Sequence, residues 1–469
     1  MTNFFIFISF TFLCFNSAVC QNTLFLKKYS SSSELSFNSI IVTHDSNYVV
    51  AGETFSPNGG NSFLIKTDRA GNELWRKTNN LWTAFDDSST SARCILETAD
   101  HELIICGSLI SIISGYNSQF YISKSDSVGN KIWDLIFGGS ENEALEKVIQ
   151  LTDGNFLAIG RKSPPGWGYA FIVKFNSLGD TLWTKKYDFN NNPAEGKDVF
   201  QIDNEFVIAG YIYDTLASLD RGFLATIDSV GTMTNYSIIN DSINLMAASI
   251  KQTGINEIGF LSYNSSTSRS HYGTVILFDT LLQEINRAQI QTGFIYLHVW
   301  INDTSFISLF PDVLTMKFNK YGQSLWDYYT YEEYSWPRSA VLEKEGNILI
   351  CGNVDEDRNT TSQGFILKID DTTLTTNVIS KQIDNKLVYF VTTPSTNETY
   401  IHVDKKLFED SNSLTLILFN NAGAVCDEIE LKQPIELLNN ERLLTGVYSY
   451  RLHCNKNKII TGKILIQSK

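Results

Sequence analysis

Six histidines, His44, His101, His271, His298, His402 and His453, have the widest chemical reach in this 469-residue chain. Imidazoles act as metal ligands or general bases near neutral pH. No two of them share the short spacing of a zinc motif, so each reads as a loop or core residue. Carboxylates cluster at Asp86-Asp87, Glu141/Glu143 and Asp355-Glu356-Asp357. Calcium asks for roughly six to eight oxygens, from alternating acidic and Asn positions around a glycine turn. None of the three clusters has that spacing, and all read as solvated loops. Beyond the first twenty residues the cysteines are Cys94, Cys106, Cys351, Cys426 and Cys454. An odd set in a long chain points to buried thiols. Cys94 with Cys106, and Cys426 with Cys454, are the pairs able to bridge in an oxidising compartment. The sequence contains no G-x-S-x-G elbow, phosphate loop or C-x-x-C pair. It therefore presents no catalytic set, no cofactor site and no metal site.

Composition bounds the alternatives. Hydrophobic residues make up 43% of the chain, with 30 Phe and 21 Tyr, so a large core can form. Aromatic and β-branched side chains suit a pleated, half-buried surface, which favours an all-β fold. A net charge of −14 excludes a nucleic-acid partner on electrostatic grounds, because phosphate binding needs a basic face.

Residues 1–20, MTNFFIFISFTFLCFNSAVC, join an apolar run to the small-x-small pattern Ala18-Val19-Cys20 ahead of Gln21. This reads as a signal peptide, although its start carries no Lys or Arg. Lipidation at Cys20 is the competing reading. No later stretch approaches the ~20 apolar residues of a spanning helix, so no transmembrane segment is expected.

The strongest organisational signal is an internal repeat. FLIKTDRAGNELW (63–75) recurs as YISKSDSVGNKIW (121–133), FIVKFNSLGDTLW (171–183) and MKFNKYGQSLW (316–326). Degenerate copies end at 235, 286 and 377. A second apolar run precedes each copy and usually closes on Gly, as in YVVAG (48–52), LIICG (103–107) and FLAIG (156–160). The D-x-x-G-N element is a tight turn, in which Asp accepts local backbone hydrogen bonds and Gly supplies positive φ. Four strands per period of about fifty residues is the arithmetic of a β-propeller. Seven copies predict a seven-bladed β-propeller over residues 21–384. Trp75, Trp133, Trp183 and Trp326 are its blade-packing residues. LFLKKYS (24–30) matches LWTKKYD (182–188), which places Phe25 in the Trp slot. The N-terminal strand is then expected to complete the last blade, with residues 374–384 competing for that place.

Two enzyme families use related phrases. The repeat resembles the Asp-box of sialidases, with Gly and Trp each displaced by one. It also resembles the Trp-docking motif of quinone-dependent dehydrogenases, with a turn one residue shorter. Both motifs pack blades and carry no activity by themselves.

Residues 385–469 leave the repeat. They read LVYFVTTPSTNETYIHV (387–403), LILFNNAGAVCDE (416–428), LLTGVYSYRLH (443–453) and TGKILIQSK (461–469). This tail resembles the type A sorting domain of the type IX secretion system of Bacteroidetes. Gly423, Gly446, Tyr448 and Lys463 fall on that family's motif positions, while Pro394-Ser395 stands where Asn-Pro is usual. The resemblance implies a small Ig-like β-sandwich that engages the secretion machinery. It also implies a secreted or cell-surface destination, after signal-peptide export to the periplasm. D-[ST]-aliphatic triplets at Asp126, Asp180, Asp228 and Asp241 resemble O-glycosylation sites of the same bacteria, and equally suit plain turns.

The expected function is non-catalytic binding or adhesion, toward a glycan or a protein ligand. The loops 79–91, 109–119 and 161–169, with Trp82, Tyr116 and Trp167, are the candidate contacts. A hydrolase or lyase with a site in the propeller channel is the alternative, and a structural surface component the second.

Overall fold

The computed structural model describes most of residues 23–371 and parts of 388–466. Outside the description are 56–59, 79–88, 111–116, 165–167, 240–243, 264–271, 292–296, 311–314, 329–334, 356–361, 394–397, 404–407, 409–413, 420–424, 439–445 and 455–457, and residues 32, 140, 191 and 434. The signal segment, the 384/385 boundary, Trp82, Tyr116, Trp167 and Gly423 therefore lie outside the described residues. The elements named below are all β-strands. Among the described residues no helix is long and apolar enough to cross a membrane.

Residues Asn22–Thr372 form one compact unit. It contains seven four-stranded antiparallel sheets, six of them consecutive meanders. Their innermost strands are Glu34–Val42, Ser89–Glu97, Asn142–Gln150, Ala194–Ile202, Met246–Gly254, Leu297–Trp300 and Ser335–Leu342. Each packs against the next, and Ser335–Leu342 returns to Glu34–Val42, which closes a ring. The seventh sheet takes its fourth strand from the N-terminus: Thr23–Tyr29 pairs antiparallel with Gln363–Ile369. This is a repeat β-propeller whose N- and C-terminal ends are joined by hydrogen bonds within one sheet.

The repeated residues each have a task. In the second strands, Tyr48 to Ala51 and Leu103 to Cys106 are buried without interruption, because neighbouring sheets cover both faces. Cys106 and Cys351 fill the slot of Ala51 and Ala209, and all four are fully buried. In the third strands a buried Lys meets a carboxylate of the first hairpin turn of its own sheet. The pairs are Lys66–Asp45 at 2.6 Å, Lys174–Asp153 at 2.9 Å and Lys368–Glu343 at 2.8 Å. Burial works against the charged form of Asp45, but the Lys66 bond and turn donors hold its carboxyl well below the usual range.

The D-x-x-G-N turn is built as its residues demand. In the first copy Asp68 Oδ1 accepts from the backbone N–H groups of Ala70 and Asn72, and Gly71 takes φ +76°. In the first four sheets this glycine also receives an aromatic ring from the preceding sheet, whereas Gly322 of the sixth sheet meets Ala288 and Val275. A Cβ placed on Gly129 would stand 2.7 Å from the Trp75 ring, one on Gly179 3.3 Å from Trp133, and one on Gly231 3.0 Å from Trp183. Phe25 lies against Gly71 in the same way, at 2.8 Å. It therefore does for the junction of last and first sheets what Trp does elsewhere. Trp326 uses its indole differently, donating to Asp371 Oδ1 at 2.8 Å.

The second unit holds the strands after Thr373. One sheet is Val388–Thr393, Glu398–Val403 and Ile435–Leu438; the other is Val425–Glu430, Leu414–Phe419, Gly446–Cys454 and Lys458–Ile466. Ile401, Leu416, Leu418, Tyr450 and Leu452 form its core. Gly446 pairs with Ile466, Tyr448 with Ile464, and Lys463 with Ser449 in one ladder.

Candidate functional site

A cavity of about 1740 Å³ runs between the inner strands of all seven sheets. What enters it follows from a defect that six of the seven inner strands share. Register slips by one residue between Phe37 and Ser39, Ala92 and Cys94, Leu145 and Lys147, Gly196 and Asp198, Ala247 and Ser249, and Pro337 and Ser339. The extra residues are Asn38, Arg93, Glu146, Lys197, Ala248 and Arg338. A bulge leaves one residue unpaired and re-aims its side chain. Asn38, Arg93, Glu146, Lys197 and Arg338 line the cavity.

The glycine that ends each second run makes these bulges possible. Gly52, Gly107, Gly160 and Gly352 pair with the residue before the bulge. A Cβ there would stand 2.0, 1.9, 1.9 and 2.1 Å from the carbonyl oxygens of Ser36, Ser91, Ala144 and Trp336. The phrase "AG" or "CG" thus marks where two backbones must almost touch. The fifth sheet makes its bulge against Ser262 instead.

The bulged residues join sheet to sheet. Asn38 Nδ2 donates to the Ala92 carbonyl at 2.9 Å, and Arg93 pairs with Glu146. Glu146 also meets Lys197 Nζ at 3.3 Å. Next to the bulge, Asp198 accepts from the Ile250 N–H at 2.9 Å and from Ser249 Oγ at 3.1 Å. This polar girdle runs from the first sheet to the fifth. Burial disfavours the charged form of Glu146, but Lys197, Arg93 and Arg161 outweigh it and hold its carboxyl below the usual range. A carboxylate kept ionised in this way cannot serve as a general acid at neutral pH. Asp198 keeps Lys147 charged, since its attraction exceeds the burial penalty.

Charge in the cavity is opposite in sign to the chain. Among the described residues its lining carries Arg93, Lys147, Lys197, Lys251 and Arg338 against Glu146, Asp198 and Asp303, five cations to three carboxylates. The whole chain is at −14. Arg338 is exposed to the cavity and Lys251 is half-buried at 37% side-chain exposure. Cys94 also lines the cavity and faces Cys106 across the strand pair, both as thiols. Burial pushes the Cys106 thiol up, while its hydrogen bond pulls Cys94 down.

Sequence reasoning treated the histidines as scattered, yet the fold joins two of them. His44 and His101 lie in the first hairpin turns of adjacent sheets, with Glu97 between them. His44 Nδ1 is 2.8 Å and His101 Nδ1 3.9 Å from Glu97 Oε1. The two rings stack at 3.5 Å between centroids. Aligning the repeats puts both residues in equivalent turns, a signal that linear spacing hides. Glu141 and Glu143 are likewise not a solvated loop pair: Glu143 is fully buried and both bind Lys162.

No family model and no curated protein matches the chain. Among solved structures it is similar to a protein of unknown function from Dyadobacter fermentans, with 12% identity, 73% of this chain and 99% of that chain covered, and a TM-score of 0.46. It is similar to the Dos1 propeller at 12% identity, covering 80% and 92%, with a TM-score of 0.45. The C-terminal WD40 domain of Sif2 shows 11% identity, coverage of 73% and 97%, and a TM-score of 0.43.

Proposed function

We propose that this chain is an exported, non-catalytic binding protein, a seven-bladed propeller whose channel receives an anionic ligand. The seven sheets are the blades, and the tail is an Ig-like sandwich that addresses the protein to type IX secretion. The observation that carries the binding reading is the cation-rich lining of the channel inside an acidic chain. Fields focus in a cleft with low-dielectric walls and concentrate ligands of opposite sign. The cavity exceeds the ~300–1,000 Å³ of small-molecule sites, which favours the end of a chain such as an acidic oligosaccharide. Against a hydrolase stands the engagement of Glu146 and Asp198 in the girdle. A general acid needs a carboxyl whose pKa is raised.

An array of acidic glycans, neutral glycans and peptides tests the ligand class on the intact protein. Binding to uronate- or sulfate-bearing glycans that weakens with salt is expected; no binding to any acidic member contradicts it.

Export is tested separately by truncation at residue 384 and cell fractionation. The truncated protein should stay in the periplasm while the full chain reaches the surface or medium. Identical distributions of the two forms would sink the export reading.

A further inference from the structure

We propose that His44, Glu97 and His101 form a binding site for one divalent transition-metal ion of the zinc class. This site is separate from the channel ligand and does not depend on it. Two imidazoles and a carboxylate are a donor set suited to Zn²⁺, Cu²⁺ or Ni²⁺. Their donor atoms all lie within 4.8 Å of one another. In a tetrahedral zinc site with bonds near 2.0–2.1 Å, neighbouring donors stand roughly 3.3 Å apart. The distances of 2.8 and 3.9 Å to Glu97 Oε1 fall on either side of that value. Both rings are about half exposed, at 44% and 50%, so they can turn their lone pairs toward a common point. Three protein ligands leave the fourth position to water.

The repeat supplies an internal comparison. Residues at the ends of the inner strands bind the turn of the preceding sheet: Glu97 Oε2 accepts the His44 N–H at 2.8 Å, Gln150 Oε1 the Ala99 N–H at 2.7 Å, and Gln201 Oε1 the Thr152 N–H at 3.0 Å. A neutral amide performs this clamp in the later sheets. Only in the second sheet, among these three, is the clamp a carboxylate, and only there do both adjoining turns carry a histidine. Glu97 uses one oxygen for the backbone and presents the other to both rings. His101 sits at φ +63°, as Ser46 does at the equivalent turn position of the first sheet, where the third and seventh sheets place Gly154 and Gly346. A left-handed non-glycine residue is uncommon, and it costs stability that a glycine would spare.

The test is calorimetric titration of the full chain with Zn²⁺ alone, repeated on Glu97→Gln, His44→Ala and His101→Gly. Each variant installs what an equivalent position already has in another sheet, so folding and the backbone clamp are kept. One equivalent of Zn²⁺ should bind the native chain. Each variant should lose at least the roughly 10–100-fold seen when even an outer-shell partner of a metal ligand is removed. Absence of saturable binding overturns the proposal. So does binding that all three variants retain, which would place the ion on cysteines or other histidines.

Discussion

Gly160→Ala should cost this propeller about 3 kcal/mol of stability, at the upper end of what overpacking a close contact costs. The added methyl would stand 1.9 Å from the Ala144 carbonyl oxygen and 2.7 Å from Leu145 Cα. Both are backbone atoms of the inner strand, so no side-chain rotation relieves the clash. The strands must separate where the register slips past Glu146. That loosens the bond of Glu146 to Arg93 and Lys197, and with it the girdle between the second, third and fourth sheets. Gly139→Ala is the matched control, because nothing lies within 4 Å of its added Cβ. It should change stability by no more than about 0.5 kcal/mol. Urea denaturation of both variants checks this, and equal midpoints would refute the bulge account.

The second large effect is a pH dependence. His298 is fully buried in the inner strand of the sixth sheet. Its Nδ1 meets Ser308 Oγ at 2.7 Å, and its Nε2 is buried without a hydrogen-bond partner among the described residues. Burial lowers its pKa from 6.5 to about 3. The unfolded chain takes up this proton near pH 6.5, whereas the folded chain resists it down to about pH 3. The stability is therefore fully present above pH 6.5 and is lost as pH falls from 6.5 toward 3. By linkage the loss is on the order of 2 kcal/mol at pH 5 and about 4–5 kcal/mol over the whole window. Denaturation at pH 7.5 and pH 5.0 should show this loss in the native chain and its disappearance in His298→Leu. Equal slopes in the two proteins would show that His298 protonates freely when folded.

Legibility in the sequence followed how local each feature is. The turn Asp68 to Asn72 and the ring residues Trp75, Trp133 and Trp183 are short-range patterns, so their period exposed the sheets. Phe25 was legible because LFLKKYS copies a complete outer strand, including Tyr29. Its hydroxyl donates to the Gly71 carbonyl at 2.7 Å, as that of Tyr187 does to Gly231 at 2.8 Å. The channel lining was not legible. Arg93, Glu146 and Lys197 sit in the segments SARCIL, ALEKVI and EGKDVF, which resemble ordinary strand sequence until the bulge is known. The glycines of "AG" and "CG" were noticed only as run endings, although their positions encode the close approach that forces the bulge. The grouping of His44, Glu97 and His101 was not legible because His44 comes from a different repeat than Glu97 and His101, and no linear spacing rule spans two sheets.

The cation-rich channel is proposed to bind an anionic ligand. The most direct measurement is a titration of the intact protein with a sulfated or uronic oligosaccharide. It compares the native chain with Lys251→Glu and Arg338→Glu, two channel residues outside the girdle that joins the first five sheets. Binding should saturate and fall with ionic strength, and each variant should lose about tenfold or more, as expected for reversing a charge in a complementary field. Binding that is insensitive to salt and equal in all three proteins would contradict it.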